Sequence, residues 1–290
     1  MDNILIIPNL FKDKDLYCAK KIAGLIQNTG KRVCVPTEYK EYFSDMLDVV
    51  FDVEDKLFEI ADLAISAGGD GSIIHTARKA ALREIPIVGV NLGRLGYLAE
   101  LECDESDKLV NIINGQYTTK KRMMLSFEIV KSDKSVQSAS PALNDVVLTS
   151  VGNTNRVVDI EVYAGKDEMF AGFFKGNGII VSTPTGSTAY ALAAGGPIVD
   201  PQLECLDVVP ICTHSLTARP MLFSGETELK LVNAGRVTIN VSADGSDEYV
   251  LEPGEYVRIK KSEHTAHFVK VGGSSFYEVL HRKMTDKNKR

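Results

Sequence analysis

The sequence predicts an α/β domain built on a parallel sheet, followed by a β-rich, sandwich-like domain. Three observations lead there. Short apolar runs alternate with helical segments up to about residue 115. From Lys120 the apolar residues recur with period two instead. Glycine-bearing loops follow directly after apolar runs, as at Gly68 and Gly93. The expected boundaries are 1–118, completed by about 265–290, for the α/β domain, and 119–264 for the β-rich domain.

In chain order, residues 4–7 are all Ile or Leu and read as a buried strand. Residues 16–29 carry apolar side chains at helical spacing and stop before Gly30. Residues 32–35 read as a second strand. Asp62-Leu63-Ala64-Ile65-Ser66 is a short strand that runs straight into Gly68. Ser72 then opens a helix with Ile73, Ile74, Ala77, Ala80 and Ala81 on one side. Residues 85–90 form another apolar strand, followed by Asn91-Leu92-Gly93-Arg94-Leu95-Gly96-Tyr97. Strands that are apolar throughout and separated by helices belong to parallel sheets covered on both faces. Such a sheet places Asp70 and residues 91–96 at carboxyl ends of strands, where ligands bind. A helix over about 106–114 ends at Gly115. The period-two runs are Leu125/Phe127/Ile129, Val158/Ile160/Val162, Val237/Ile239/Val241 and Val257/Ile259. Residues 276–284 read as an amphipathic helix that packs back on the first domain.

At 290 residues, 44% hydrophobic and 25% charged, the chain is long enough for two globular domains. A formal net charge of −6 argues against nucleic acid as a partner, because basic patches lead such binding. Cys18, Cys34, Cys103, Cys205 and Cys212 show no CxxC pairing, and their odd number argues against a disulfide framework or a zinc site. No metal site is therefore expected. The first residues lack the basic start and long apolar run of a signal peptide, and no stretch is long enough to span a bilayer. The expected location is cytoplasmic, without a membrane partner.

Two segments carry chemistry. In Gly68-Gly69-Asp70-Gly71 the glycines let the backbone approach a phosphate closely, and the following helix offers free N–H groups. Asp70 would then take a proton from an attacking hydroxyl; the alternative is a tight turn in which Asp70 caps the helix. The second segment, residues 182–190, packs Ser182, Thr183, Thr185, Ser187 and Thr188 with Tyr190 around Pro184 and Gly186. So many hydroxyls suit a polar, nucleotide-sized ligand, whereas a helix start accounts for Pro184 and one hydroxyl. Asn144-Asp145 could pair with an adenine edge and a ribose diol, or form a turn before a strand. Arg219 could meet a phosphate or form an ion pair; Lys175 reads as a surface lysine, and the acidic run 102–107 as solvated. Together the two glycine-rich segments suggest phosphoryl transfer to a small molecule.

The ordered set GGDG (68–71), NLGRLGYLAE (91–100), LNDVVL (143–148), GNGIIVSTPTGSTAYALAAGGP (176–197), HSLTARP (214–220) and SADG (242–245) resembles NAD kinases. The GGDG motif is shared with diacylglycerol, sphingosine and phosphofructokinase-type kinases; the run at 182–197 is far more specific. The resemblance implies an NAD kinase-like fold and ATP-dependent phosphorylation of the adenosine ribose 2′-hydroxyl of NAD, with Mg²⁺ accompanying ATP. It implies a homodimer or homotetramer. It makes Asp70 the proton acceptor and puts Gly71 at the phosphates. Tyr97 matches an aromatic position of the pocket, while Arg94, in the glycine-bounded loop 91–97, could bind a phosphate of the ligand or form an ion pair. Asn144 and Asp145 hold the adenosine part, Thr185, Thr188, Ala189 and Tyr190 line the dinucleotide site, and Asp244 lies in the last binding motif. Asn177 stands where many relatives carry a dinucleotide-contacting Asp, and Lys175 lies in the region tied to NAD/NADH selectivity. A diacylglycerol-type lipid kinase and a non-catalytic NAD(P)-binding regulator are the alternative readings.

Overall fold

The computed structural model describes residues 1–93, 96–152, 156–272 and 275–286. They form two compact units, Met1–Lys121 with Ala266–Arg290, and Arg122–Thr265. The boundary thus falls inside two long strands, Thr118–Val130 and Tyr256–Lys270.

The first unit is a parallel sheet. Its strands are β1 (Asn3–Pro8), β2 (Arg32–Pro36), β3 (Val49–Asp52), β4 (Leu63–Gly68) and β5 (Pro86–Asn91), in the order β3-β2-β1-β4-β5. A short β6 (Leu101–Glu102) pairs parallel to β5. Ile4, Leu5 and Ile6 are fully buried, as a strand covered on both faces requires. Helix α1 (Tyr17–Asn28) buries Cys18, Ala19, Ile22, Ala23 and Ile26, one stripe of a 3.6-residue period. Helices α2 (Glu54–Ile60) and α3 (Asp70–Ala81) follow β3 and β4. Helix α3 starts at Asp70, two residues before the expected Ser72, and buries Ile73, Ala77, Ala80 and Ala81. The expected helix over 106–114 is a 3₁₀ turn, Cys103–Lys108, leading into a one-turn α4 (Leu109–Ile113). The turn is closed by a capping box between Glu102 and Glu105, so part of the acidic run has a structural task. The chain leaves β1 toward β2 on one side, while β4 joins β1 on the other. The loops after β1 and β4 therefore diverge and open a crevice at that switch point.

The second unit is antiparallel. Strands β7 (Thr118–Val130) and β8 (Val136–Ser138) form a hairpin. Strands β9 (Asp145–Ser150), β10 (Val158–Ala164), β11 (Met169–Gly176) and β12 (Gly178–Ser182) precede a single-turn α5 (Tyr190–Ala193). After it come β13 (Cys205–Ile211), β14 (Met221–Ser224), β15 (Leu229–Asn233), β16 (Ile239–Ala243), β17 (Ser246–Leu251) and β18 (Tyr256–Lys270). One sheet runs β14-β13-β12-β9-β16-β17; the other contains β11-β10-β15-β18. Val158, Ile160, Val162, Leu229, Leu231, Val257 and Ile259 of one sheet pack with Val146, Leu148, Ile179, Val181, Ile239 and Val241 of the other. The period-two pattern is thus the inner face of a two-sheet sandwich. Helix α6 (Phe276–Asp286) closes the described chain and belongs to the first unit.

One sequence expectation fails. Cys18 of α1 and Cys103 of the 3₁₀ turn form a disulfide, with Cα atoms 6.0 Å apart although the two lie 85 positions apart in sequence. Spacing along the chain carried no trace of it, because tertiary packing of α1 against that turn brings the pair together. Cys34, Cys205 and Cys212 are free, and burial pushes the Cys34 thiol up to about 11. In protein purified without reductant, iodoacetamide should label exposed Cys212 first and add three labels per chain after denaturation, counted by intact mass. Five labels would contradict the pairing.

Candidate functional site

Each unit carries its own group of candidate residues. In the first unit, Asp70 is the first residue of α3, at the carboxyl end of β4. It does not cap its helix. Its carboxylate turns to the segment after β5 instead: the Tyr97 N–H donates to Oδ2 at 3.0 Å and the Leu98 N–H to Oδ1 at 3.2 Å. Gly96 makes this possible, because a Cβ there would collide with Oδ1 and lie 2.9 Å from Cγ. The carboxylate remains partly open, with about a third of the side chain exposed (32%). Held by two N–H groups, it keeps lone pairs free to accept a hydroxyl proton.

The surroundings of Asp70 are cationic and aromatic. Lys283 of α6 places Nζ 3.8 Å from Asp70 Oδ2 and 3.7 Å from the Tyr97 ring centre. Phe276, on the same helix, packs its ring 6.4 Å from that of Tyr97. Burial, and then the charge of Asp70, push the Tyr97 hydroxyl above its ordinary value. The Lys12 ammonium overlies Gly69, and Asn9 donates to Ser72 Oγ at 2.7 Å, tying the loop after β1 to α3. Gly71 is exposed, and the direction its Cβ would take is open space. The call on Arg94 lies outside the described residues.

In the second unit, Asn144 and Asp145 precede β9 and are clamped by Asp244. The Asp244 carboxylate accepts N–H bonds from Leu143 (2.8 Å), Asn144 (2.7 Å) and Asp145 (3.1 Å). Asp244 adopts φ +52° in the turn between β16 and β17 and donates its own N–H to Asp145 O at 3.0 Å. These bonds aim its carboxylate at the backbone of the Asn144-Asp145 segment. The half-buried Asn144 amide meets no protein partner among the described residues. Asp145 is buried, and burial together with the Asp244 charge pushes its carboxyl up to about 7.

The hydroxyl-rich segment docks on the same backbone. Thr183 donates its N–H to Asn144 O (2.8 Å) and its hydroxyl to Leu143 O (2.6 Å). Ser182 Oγ donates to Asn144 O, Gly186 N–H donates to Thr183 Oγ1, and Ser187 Oγ bridges Pro184 O and the Val199 N–H. Three of the five hydroxyls, those of Ser182, Thr183 and Ser187, are therefore fully buried and knit the turn. This corrects the expectation that the hydroxyls as a group face a ligand: an irregular loop buried this deeply must satisfy its own backbone. Thr188 donates to Thr185 O, while the Thr185 hydroxyl has no protein partner among the described residues. Ala189 and Tyr190 are exposed. Gly186 is sterically required, since a Cβ there would collide with Asn144 O.

Other candidates have local partners. Lys175 of β11 pairs across strands with Asp159 of β10 at 3.4 Å, and the Asn177 N–H donates to Ile211 O. Arg219 donates to Leu216 O and Ala218 O in its own turn. His75 meets Glu54 at 3.0 Å. One buried acid escaped the sequence reading: Asp207 of β13, opposite Ser182 in register, is fully buried with both oxygens unbonded among the described residues. Burial pushes its carboxyl up to about 6. In the sequence it is a single acid in an apolar strand, which signals nothing until the strand is placed. No helix is long and apolar enough to cross a membrane, and no cluster of three metal-ligating side chains occurs among the described residues.

Two predictions follow from these contacts. Gly186→Ala forces the loop off Asn144 and should cost about 1–3 kcal/mol, read as a lower urea midpoint; an unchanged midpoint would contradict the packing. Asp145 and Asp207 hold protons more tightly folded than unfolded, where their ordinary value is 3.8. Their contribution to stability is present at low pH and is lost as pH rises, through about 7 for Asp145 and about 6 for Asp207. The urea midpoint of wild type relative to Asp145→Asn or Asp207→Asn should therefore fall with rising pH over these windows. A pH-independent difference would contradict the burial of both acids.

Comparison with known proteins shows the family. The ATP-NAD kinase N-terminal domain matches residues 4–117, and the ATP-NAD kinase C-terminal domain matches residues 143–271. The NAD kinase of Symbiobacterium thermophilum is 40% identical over 226 residues, 77% of this chain and 78% of that protein. The NAD kinase of Caldanaerobacter subterraneus subsp. tengcongensis is 34% identical, covering 99% of this chain and all (100%) of that protein. Two crystal structures share the fold. Yeast NADH kinase complexed with NADH has a TM-score of 0.89 at 22% identity, covering 98% of this chain and 88% of the other. An NAD kinase from Archaeoglobus fulgidus in complex with ATP has a TM-score of 0.73 at 24% identity, covering 98% of each chain. Neither the lipid-kinase nor the regulator reading is favoured by these matches. A parallel-sheet unit carrying Gly68-Gly69-Asp70-Gly71, a β-sandwich unit carrying Asn144-Asp145, and relatives matched along nearly the whole chain place this protein in the NAD kinase family of phosphotransferases.

Proposed function

We propose that the chain transfers the γ-phosphoryl group of ATP to the 2′-hydroxyl of the adenosine ribose of NAD, with Asp70 as general base. The observation that carries this reading is the Asp70 carboxylate, fixed by the Tyr97 and Leu98 N–H groups at the start of α3 yet still open to a hydroxyl. The ribose 2′-oxygen attacks the γ-phosphorus, its proton passes to Asp70, and the bond to the β,γ-bridging oxygen breaks to release ADP. Gly71 and the open N–H groups at the start of α3 meet the phosphates, with Lys12 beside them. ATP is used as its magnesium complex, and the ion neutralises phosphate charge.

The dinucleotide is held by the second unit. Asn144 has a free amide for the adenosine part, and Asp145, clamped in place by Asp244, accepts from ribose hydroxyls. Thr185, Thr188, Ala189 and Tyr190 line the rest of the site in this unit; in the first unit Tyr97 holds Asp70 through its N–H. Lys175 and Asn177 bear on selectivity between NAD and NADH, with Asn177 offering an amide in place of a carboxylate. The protein works in the cytoplasm as a homodimer or homotetramer; Met169, Phe170 and Phe173, exposed on the edge strand β11, supply apolar surface for such contacts.

Asp70→Asn tests the assignment. It retains the size of the side chain but removes the proton acceptor, so kcat should fall by about 10²–10⁴ while the KM for NAD changes little. The assay is NADP formation from NAD, ATP and Mg²⁺. A kcat equal to wild type would remove Asp70 from the role of base.

A further inference from the structure

The segment that holds Asp70 is closed on itself at its neck. Asn91, the last residue of β5, lies opposite Glu102 of β6 in register, although the two are 11 positions apart in sequence. Asn91 is buried (2% exposed), and its amide donates to both Glu102 carboxylate oxygens, at 3.0 and 2.9 Å, and to Gly93 O at 2.9 Å. A hydrogen bond to a carboxylate is stronger than one between neutral groups. The arms that leave this neck both reach the turn around Asp70. On the way out, the Leu92 N–H donates to Gly68 O at 3.1 Å. On the way back, Tyr97 and Leu98 give their N–H groups to Asp70 before the chain arrives at Glu102. Backbone pairing at the return is slight, since β6 has only two residues. Glu100 ties the returning arm to the chain after β18, through the Val271 N–H at 2.8 Å. Only the Asn91–Glu102 contact among these side-chain ties refers that arm to β5, whose Asn91 pairs with Gly68 of β4, the strand from which Asp70 starts.

We propose that Asn91 and Glu102 are positioning residues for phosphoryl transfer, their hydrogen bond keeping the Tyr97 and Leu98 N–H groups on the Asp70 carboxylate. This rests on the reading of Asp70 as the base. Neither side chain has to touch the reacting groups. The orientation of the carboxylate is set by two N–H donors, the donors by the returning arm, and the arm by the closed neck. With the neck open, the donors drift and Asp70 is released to fold back on the start of its own helix. A misplacement of about 1 Å in a reacting group costs about 10²-fold in rate. Substrate binding is less affected, because the phosphates meet the start of α3 and the dinucleotide is held by the second unit. The loss therefore falls on kcat. In the sequence Asn91 opens a glycine-bearing loop and Glu102 begins an acidic run, and nothing in either pattern joins them.

The test is steady-state NADP formation by variants of the full chain. Asn91→Asp keeps the volume but sets a second carboxylate against Glu102. It should lower kcat by about 10–10², with the KM for NAD and for ATP within about threefold of wild type. Asn91→Asp/Glu102→Gln restores a bond of reversed polarity and should regain at least about threefold of the loss. A double-mutant cycle with Asp70→Asn supplies the readout that a merely structural role would not move. Because Asn91 acts through Asp70, adding Asn91→Asp to Asp70→Asn should cost less than about threefold more. Thermal melts of each variant report folding separately. An Asn91→Asp kcat equal to wild type, no recovery in the reversed pair, or an equal loss on the Asp70→Asn background would overturn the proposal. Any of these with Asp70→Asn itself inactive strikes the proposal alone. An Asp70→Asn variant that turns over like wild type strikes the base assignment, and the proposal with it.

Discussion

The candidate site depends on the pair of backbone N–H bonds from Tyr97 and Leu98 to the Asp70 carboxylate. A carboxylate at the first position of a helix has an easy alternative, which is to fold back and cap that helix. The segment after β5 draws it away. That requires β4 and β5 to lie side by side, which they do over five parallel pairs from Ala64↔Ile87 to Gly68↔Asn91. It also requires a residue without a side chain at position 96. The aligned pair of strands, the absent Cβ and the two donors together hold the Asp70 carboxylate away from the cap position of its helix, as its proposed role of proton acceptor requires. Tyr97 then carries a second task, because the residue that donates its N–H also presents the ring on which Lys283 rests.

The second unit repeats the logic with the roles reversed. There the carboxylate that binds backbone is Asp244, and the groups it leaves available are Asn144 and Asp145. The hydroxyl-rich loop contributes by closing on the carbonyls of Leu143 and Asn144. A buried loop without regular structure has to find partners for its own polar atoms, and three serine and threonine hydroxyls are consumed in doing so. Gly186 supplies the close approach. The outcome is a shelf in which most of the hydroxyls are satisfied within the protein.

The sequence made some of this legible and hid the rest, for physical reasons. Apolar strands such as Ile4–Ile7 and the period-two runs of the sandwich are local patterns, so the fold class could be read from them. The strand-to-helix passage at Gly68-Gly69-Asp70-Gly71 could be read too, although its helix begins two residues early because glycine and aspartate both tolerate that start. The Cys18–Cys103 disulfide, the backbone duty of Asp244, the orphaned Asp207 and the approach of Lys283 arise between segments far apart in sequence. No periodicity encodes them. The hydroxyls of 182–188 misled because composition alone does not say which polar groups the fold will use for itself.

The most direct test of this account is a crystal structure with NAD and a non-hydrolysable ATP analogue bound. The account predicts the ribose 2′-oxygen at about 2.6–3.2 Å from an Asp70 carboxylate oxygen, with the Tyr97 and Leu98 N–H bonds intact. A 2′-oxygen facing another side chain, with Asp70 folded back as the cap of its own helix, would contradict it.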